Sequence, residues 1–294
     1  MMSEEADVLF QEQKQWADRG LQTLRSFLPF MAPVGTFPNW SREERRAIGY
    51  LASATARSSE SALLLCAYGQ LWDAEMQVRS VLEGTLKFAY LLQSPETFAE
   101  RYSEYAEDLF SIGVLKDHQK AADLLSAIKE PSDPRWQPIR DRLLSDAERH
   151  ELSERFSRTV RKGLETRWGF TGLVSELSRS GDPLFRDFPA IAHAYSMASH
   201  IQHVDMIGAS IAMERDLRSG DRRDSIHLAH LGRLVGDVLN FMFVRLVVGY
   251  RFVETDLSPL GAIKDTLDEA NRQLSKLHSK WMSVEYPDGE TVSD

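Results

Sequence analysis

A pair of opposite charges stands inside an apolar helical segment of this chain. Arg79 and Glu83 are four residues apart, and Val78, Val81 and Leu82 flank them. Residues four apart share one face of a helix, so the pair borders the core, where ionised groups are stable only when paired. The pair is therefore either a structural network or part of a site. As a buried structural pair, it predicts that Glu83→Ala destabilises the protein by ~3–5 kcal/mol, because one charge is stranded.

A second polar group lies on a later helical segment. Tyr195, Ser199 and His203 follow one another at intervals of four residues and share a helix face. In the functional interpretation, His203 is an acid or base oriented by Glu83, and Arg79 binds an anionic ligand or stabilises charge. In the structural interpretation, His203 only bonds Ser199 or Glu83 within a buried polar network. Both interpretations stay open at this point.

Two histidine pairs have the spacing of possible metal ligands. His200 and His203 form one pair, and His227 and His230 form the other, each three residues apart. Together they could offer four imidazoles to one metal ion. The plainer interpretation places the second pair at the surface near the turn at residues 218–223. We expect no metal and no cofactor, because the motifs of metal bundles, nucleotide-binding loops and nucleophile elbows are absent from the sequence.

Composition limits the classes of function. The 294 residues are 43% hydrophobic, which is enough to fill a core, and the net charge of −9 argues against a nucleic-acid binder that uses its whole surface. Any RNA contact is then local. The single cysteine, Cys66, lies in an apolar run and excludes an internal disulfide, which favours a reducing cytoplasm.

The sequence also argues against a membrane protein. The first residues are acidic and lack the basic and apolar regions of a signal peptide. The apolar stretch at residues 234–248 is interrupted by Gly236, Asp237, Asn240 and Arg245, so it falls short of the ~20 apolar residues that span a bilayer. We expect a cytoplasmic protein with no membrane partner.

The spacing of apolar residues predicts an all-α fold, an elaborated multi-helix bundle without a sheet, because nearly every long segment has a period of 3.6 residues. Ser41 and Glu44 form the pattern of a capping box that opens a helix. Gly113 is a candidate break in its helix. Helices are predicted at about residues 4–28, 41–69, 71–93, 95–129, 170–177, 189–215, 223–256 and 258–282.

Three regions are predicted along the chain. Residues 1–40 form an N-terminal helix and loop, residues 41–282 form the helical bundle, and residues 283–294 form a flexible acidic tail. Three prolines between Pro131 and Pro138 open a polar insert at about 131–182.

The pair Arg79 and Glu83, together with Tyr195, Ser199 and His203, resembles the motifs of a bacterial helical family, the domain of unknown function numbered 5677. That family combines an Arg-x-x-x-Glu helix in its first third with a later Tyr-x-x-x-Ser-x-x-x-His helix. The resemblance covers roughly residues 45–250, and it implies that these five residues are positions of interest. It implies no reaction, because the biochemical role of the family is not established.

A further resemblance concerns Arg222 and His227, which form an Arg-x4-His pattern. This spacing is similar to the signature of the HEPN ribonucleases, helical bundles in which the motif residues of two subunits meet at a dimer cleft and cleave RNA. Some helical families of this kind look like distant HEPN relatives and occur near mobile elements and phage-defence genes.

The leading hypothesis is a bacterial HEPN-like defence or stress protein that acts on or binds RNA or a nucleotide, as a homodimer or with a protein partner. As a metal-independent ribonuclease, it would use His203 or His227 to deprotonate a ribose 2′-hydroxyl. Arg79 or Arg222 would then stabilise the phosphate charge. The alternative is a non-catalytic protein-interaction module, in which Arg79, Glu83, Ser199 and His203 form a structural network.

Overall fold

The computed structural model describes the backbone of residues 4–287 and the side chains of residues 8–287. Within that range every regular element is helical and none is a strand, which confirms the predicted all-α fold. The predicted flexible tail, residues 283–294, lies outside the described residues from 288 onward. None of the described helices is both long and apolar enough to cross a lipid bilayer.

The N-terminal part of the chain contains four helices. Their bounds are α1 Glu4–Phe27, α2 Ala32–Gly35, α3 Arg42–Ala67 and α4 Leu71–Leu91. The predicted capping box is present at the start of α3: the Ser41 hydroxyl accepts from the Glu44 backbone N–H at 3.1 Å, and Glu44 accepts from the Ser41 N–H at 2.7 Å. These two bonds satisfy N–H groups that a helix start otherwise leaves unpaired.

The middle of the chain forms shorter helices. Their bounds are α5 Pro95–Tyr102, α6 Leu109–Ala127, α7 Gln137–Arg140, α8 Asp146–Arg155, α9 Arg158–Arg167 and α10 Phe170–Arg179. The predicted break at Gly113 is wrong, because α6 runs through it. The irregularity lies earlier, in a π-helical turn at Ser103–Asp108.

The last third of the chain completes the fold. Its helices are α11 Phe188–Ala194, α12 Ser196–His203, α13 Met206–Asp216, α14 Gly220–Phe252 and α15 Leu260–Glu285. The long helix α14 packs along α15 and also contacts α1, α3 and α4. Its buried face is almost entirely apolar, so its burial provides much of the hydrophobic stabilisation of the fold.

The prediction of one helix over residues 189–215 is wrong, because α11, α12 and α13 are separate. Val204 has a φ of +49°, a left-handed conformation that a right-handed helix cannot contain. Asp205 then caps α13, accepting from the Gly208 N–H at 3.0 Å. A Cβ at Gly208 would lie 2.3 Å from the backbone oxygen of His200, so α12 and α13 approach each other closely only because residue 208 is glycine.

The chain divides into two compact units, residues 1–93 with 177–294 and residues 94–176. The second unit has its own small core of Ile112, Leu115, Phe156 and Leu164. Its boundaries differ from those of the polar insert that the sequence indicates at 131–182. All of the site described below lies in the first unit.

Candidate functional site

A network of charged residues lies between α4 and α14. Glu75 of α4 has only 3% of its side chain exposed, and its Oε2 accepts a hydrogen bond from His230 Nε2 at 2.7 Å. The same oxygen pairs with Arg233 Nη2, one turn further along α14. Because the carboxylate can only accept, Nε2 of His230 carries a proton. The buried charge of Glu75 is therefore compensated by two donors from one helix.

The network continues to α11 and α12 through Tyr195, which lies at their junction. The buried Tyr195 hydroxyl donates to Asp237 Oδ2 at 2.5 Å, and Arg233 Nη1 reaches the same oxygen at 3.3 Å. The Arg233 guanidinium also lies 5.1 Å from the centre of the Tyr195 ring. Arg233 thus joins two carboxylates and an aromatic ring into one connected cluster.

Burial shifts the pKa values of the network in ways that fix its charges. Burial raises the pKa of Glu75, but the hydrogen bond from His230 and the charge of Arg233 outweigh burial, so its pKa lies below the usual value. Burial lowers the pKa of His230 more than Glu75 raises it, and Arg233 and Arg215 lower it further. At neutral pH, Glu75 is therefore ionised and His230 is neutral.

The pKa values of Asp237 and Tyr195 are raised, whereas those of Glu75 and His230 are lowered. Burial raises the pKa of Asp237 to about 6, although the charge of Arg233 and the hydrogen bond from Tyr195 act to lower it. Burial, together with the charge of Asp237, raises the pKa of Tyr195 well above its usual range. Tyr195 is therefore a hydrogen-bond donor at every physiological pH, whereas Asp237 gains a proton in mildly acidic solution.

A cavity of about 380 Å³ opens beside this network. Glu75, His230 and Arg233 of the network line one side of it, and α11, α12, α13 and α15 supply the other walls. The remaining lining residues are Trp72, Ala194, Met197, Ile201, Ile211, Glu214, Arg215, Arg218, Ile226, Ala229, His278 and Trp281. We call it the central cavity. Its combination of apolar walls and a few polar groups is typical of ligand-binding sites.

Three buried donor atoms of residues that line the central cavity have no hydrogen-bond partner among the described residues. They are Trp72 Nε1, Trp281 Nε1 and Arg215 Nη1. The Arg215 guanidinium lies 4.6 Å from the Trp72 ring centre, and its one ion pair with a described residue is to the exposed Asp216, at 3.5 Å from Nε. Buried polar groups are normally satisfied, so three unpaired donors on residues that line one cavity are unusual.

The neighbouring Arg218 is in a different electrostatic position. It pairs with Glu214 at 2.9 Å and with Glu285 at 3.1 Å. Its charge is compensated within the chain, and Arg215 is the guanidinium of the cavity with spare donor capacity.

The structure places Arg79 and Glu83 on α4, one and two turns after Glu75. Arg79 Nε lies 3.2 Å from Glu83 Oε1, and the side chains are 22% and 36% exposed. Neither residue lines the central cavity. The pair is a partly exposed contact, so the large cost predicted for a buried pair does not apply to Glu83.

The structure does not bring Tyr195, Ser199 and His203 into one environment. Tyr195 is buried, Ser199 is partly buried and His203 is exposed. No side-chain hydrogen bond joins His203 to Ser199 or Glu83 anywhere in residues 8–287. His200 instead pairs with Asp205, at 2.6 Å from Nδ1. A role of Ser199 and His203 in a site stays a prediction.

Arg222 and His227 also face different partners. Arg222 pairs with Glu285 at 2.6 Å, whereas His227 Nε2 lies 2.8 Å from Gln13 Oε1. Burial, with the charge of Arg215, lowers the pKa of His227 to about 4. The expectation of a surface histidine is wrong for His230, which is only 10% exposed. Among the described residues, no three His, Cys, Asp or Glu side chains are grouped so as to hold a metal ion.

The sequence contains a signal for the charged network, although no motif groups these residues. His230, Arg233 and Asp237 stand at positions i, i+3 and i+7 of an apolar helix, so they share one face. Glu75, Arg79 and Glu83 form the equivalent row on α4. The spacing of each row predicts a polar helix face, but it does not show which turns of the two helices meet.

Comparison with known families agrees with the resemblance that the sequence indicates. The model of a family of unknown function, DUF5677, matches residues 45–217, more than half of the chain. The chain belongs to this family. The DUF5677 match includes Glu75, Tyr195 and Arg215 and ends before α14, which carries His230 and Arg233. Searches of curated proteins and of solved structures find no match.

Proposed function

We propose that this protein binds RNA or a nucleotide, by holding a single nucleotide unit in the central cavity. The observation that carries the proposal is the set of three unpaired donors, Trp72 Nε1, Trp281 Nε1 and Arg215 Nη1, on residues that line one cavity. Phosphate and nucleobase oxygens are acceptors that could satisfy them. A HEPN-like role in defence is the wider hypothesis, and binding of RNA or a nucleotide is the part that the geometry supports.

The aromatic walls support a ligand with a planar ring. Trp72 and Trp281 line the cavity together with Met197, Ile201 and Ile211. Nucleobases stack on aromatic side chains, which contributes about 1–3 kcal/mol per base. The apolar lining can therefore hold the base while the donors hold the polar groups.

The charge of the cavity indicates how many phosphates it holds. Arg233 and Arg218 are paired with carboxylates, and Arg215 is the guanidinium that retains unused donors. One such arginine suits a monophosphate or one phosphodiester of an RNA chain, rather than a triphosphate. The acidic overall charge is compatible with a site that contacts one nucleotide only.

The experiment is a calorimetric titration of the full chain with the four ribonucleoside monophosphates and with a short single-stranded RNA. Arg215→Met should weaken binding by about 10 to 100-fold, because a charge-assisted hydrogen bond contributes about 1.5–3 kcal/mol. Arg223→Met is the matched control, since Arg223 pairs with Asp224 and does not line the cavity. Absence of saturable binding, or equal affinity in Arg215→Met, contradicts the proposal.

A second candidate function is a protein-interaction module, and the outer face of α13 favours it. Met206, Met213 and Leu217 stand at i, i+7 and i+11, and Met206 and Leu217 are 84% and 79% exposed. We propose a second copy of the chain as the partner. Light scattering would then give a dimer for the wild type and a monomer for the double variant Met213→Glu, Leu217→Glu. A monomeric wild type would exclude this self-association.

A further inference from the structure

We infer that His230 is the acid–base group of the central cavity and acts on a phosphate ester bound there. The inference rests on the proposed function, because it assigns a reaction to the same cavity. It concerns a residue of α14 that none of the sequence motifs singled out as catalytic.

The first argument is orientation. His230 Nε2 donates to Glu75 at 2.7 Å, and Arg233 holds the same carboxylate from the next turn of α14. The imidazole ring also packs against Trp72, with 4.9 Å between the ring centres. A histidine whose outer nitrogen is fixed by a buried carboxylate presents its second nitrogen in one direction and in one tautomer. Within the described range, Nδ1 has no hydrogen-bond partner, and His230 is one of the residues that line the central cavity.

The second argument is charge. His230 is neutral because burial lowers its pKa, and Arg233 and Arg215 act in the same direction. A neutral imidazole can accept a proton at Nδ1. The imidazolium that forms is stabilised by ionised Glu75, which already accepts from its Nε2–H. Burial and Glu75 together therefore allow His230 to be uncharged before the reaction and compensated during it.

The other histidines near the site lack one of these properties. His227 does not line the central cavity, and its Nε2 is engaged by Gln13. His278 lines the cavity but packs its ring against Trp281, and no carboxylate holds it among the described side chains. His230 alone combines access to the cavity with a fixed carboxylate partner.

The reaction that fits these groups is hydrolysis of a phosphodiester. A water molecule attacks phosphorus, and its proton passes to His230 Nδ1 as the new P–O bond forms. The bond from phosphorus to the leaving ester oxygen breaks, and that oxygen takes the proton from Nδ1. Arg215 donates to the phosphate oxygens while negative charge builds up on them. The products are a phosphate monoester and an alcohol, and His230 returns to its neutral form.

The experiment measures binding and cleavage of one 5′-labelled single-stranded RNA oligonucleotide in the same samples. His230→Gln should bind with unchanged affinity and cleave about 10²–10⁴-fold more slowly than the wild type. His150→Gln, an exposed residue of the second unit, is the matched control and should keep both properties. The wild-type rate should rise with pH through one ionisation, with a midpoint below that of a solvated histidine.

Each result decides the inference. A wild type that binds but does not cleave, or a His230→Gln variant that cleaves normally, overturns the inference and leaves the proposed function intact. A wild type that binds none of the RNA overturns both. A 2′,3′-cyclic phosphate product contradicts attack by water. If His230→Gln does not fold, the wild-type pH profile decides, because a rate without an acid-side ionisation excludes His230.

Glu75 is a positioning residue in this scheme. Glu75→Gln keeps an acceptor for His230 and Arg233 but removes the negative charge. The midpoint of the acid limb should then fall, since Glu75 raises the pKa of His230. A purely structural role of Glu75 would leave the midpoint unchanged. An unchanged midpoint would therefore contradict the positioning role assigned to Glu75.

Discussion

The Tyr195 hydroxyl donates to Asp237 Oδ2 at 2.5 Å, although the two residues are 42 positions apart in the chain. This bond fixes the start of α12 to the middle of α14. Because α12 provides Met197 and Ile201 to the central cavity, the bond also determines where one cavity wall stands.

Tyr195→Phe tests the stability that this bond provides. The variant keeps the buried ring and removes the hydroxyl, so among the described side chains Asp237 retains its contact with Arg233 alone. We expect a loss of about 1–3 kcal/mol in the free energy of unfolding, the usual cost when a buried group loses a partner. Urea unfolding measures it. Tyr286→Phe, at an exposed tyrosine, is the control and should change little.

Asp237→Asn tests the pH dependence of stability. Burial raises the pKa of Asp237 from 3.8 to about 6, so the folded protein binds a proton more tightly than the unfolded chain. This stabilising contribution is fully present below the unfolded pKa and is lost as the pH rises through about 6. The difference in unfolding free energy between wild type and Asp237→Asn should therefore change between pH 4 and 6 and be constant above about 7. A constant difference over the whole range would contradict the shift.

Glu75→Ala tests the buried charge pair. Removal of the carboxylate leaves Arg233 and His230 without their shared partner, so we expect a loss of ~3–5 kcal/mol. Glu83→Ala, two turns along the same helix, should cost about 0–1 kcal/mol, because its pair with Arg79 is partly exposed. Chemical denaturation of both variants gives the comparison. Equal losses in the free energy of unfolding would contradict the expectation that the buried pair contributes more to stability than the partly exposed pair.

Arg245→Met tests a buried charge in the apolar part of α14. Arg245 is fully buried, its Nε has no hydrogen-bond partner among the described residues, and Nη2 contacts Met242 Sδ at 3.3 Å. Burial lowers its pKa to about 10. Replacement of a buried ion by an apolar side chain of similar length should stabilise the protein by about 1–4 kcal/mol. A lower melting temperature for Arg245→Met would refute this expectation.

The local features of the fold could be predicted from the sequence. The capping box of Ser41 and Glu44 and the start of α5 at Pro95 depend on residues within one helical turn, and both are present. The division of residues 188–216 could not be predicted. A β-branched residue such as Val204 disfavours the left-handed conformation, so its local preference points away from the observed structure.

The candidate site was predicted in part for a similar reason. The spacing indicates the polar face of α4 and singles out Tyr195, but the contacts of Glu75 join it to His230, 155 positions away. Helix spacing gives the face on which a residue lies. It does not give the turn at which two distant helices meet, and this turn decides whether Glu75 or Glu83 is buried.

Gly208 neither lines the central cavity nor belongs to its charged network. Any larger residue there would push α13, with Ile211 and Arg215, away from Met197 and Ile201 of α12. Natural selection for a cavity of fixed width would therefore act on a position outside the cavity. Variants of Gly208 should change the width of the central cavity while every lining side chain remains the same.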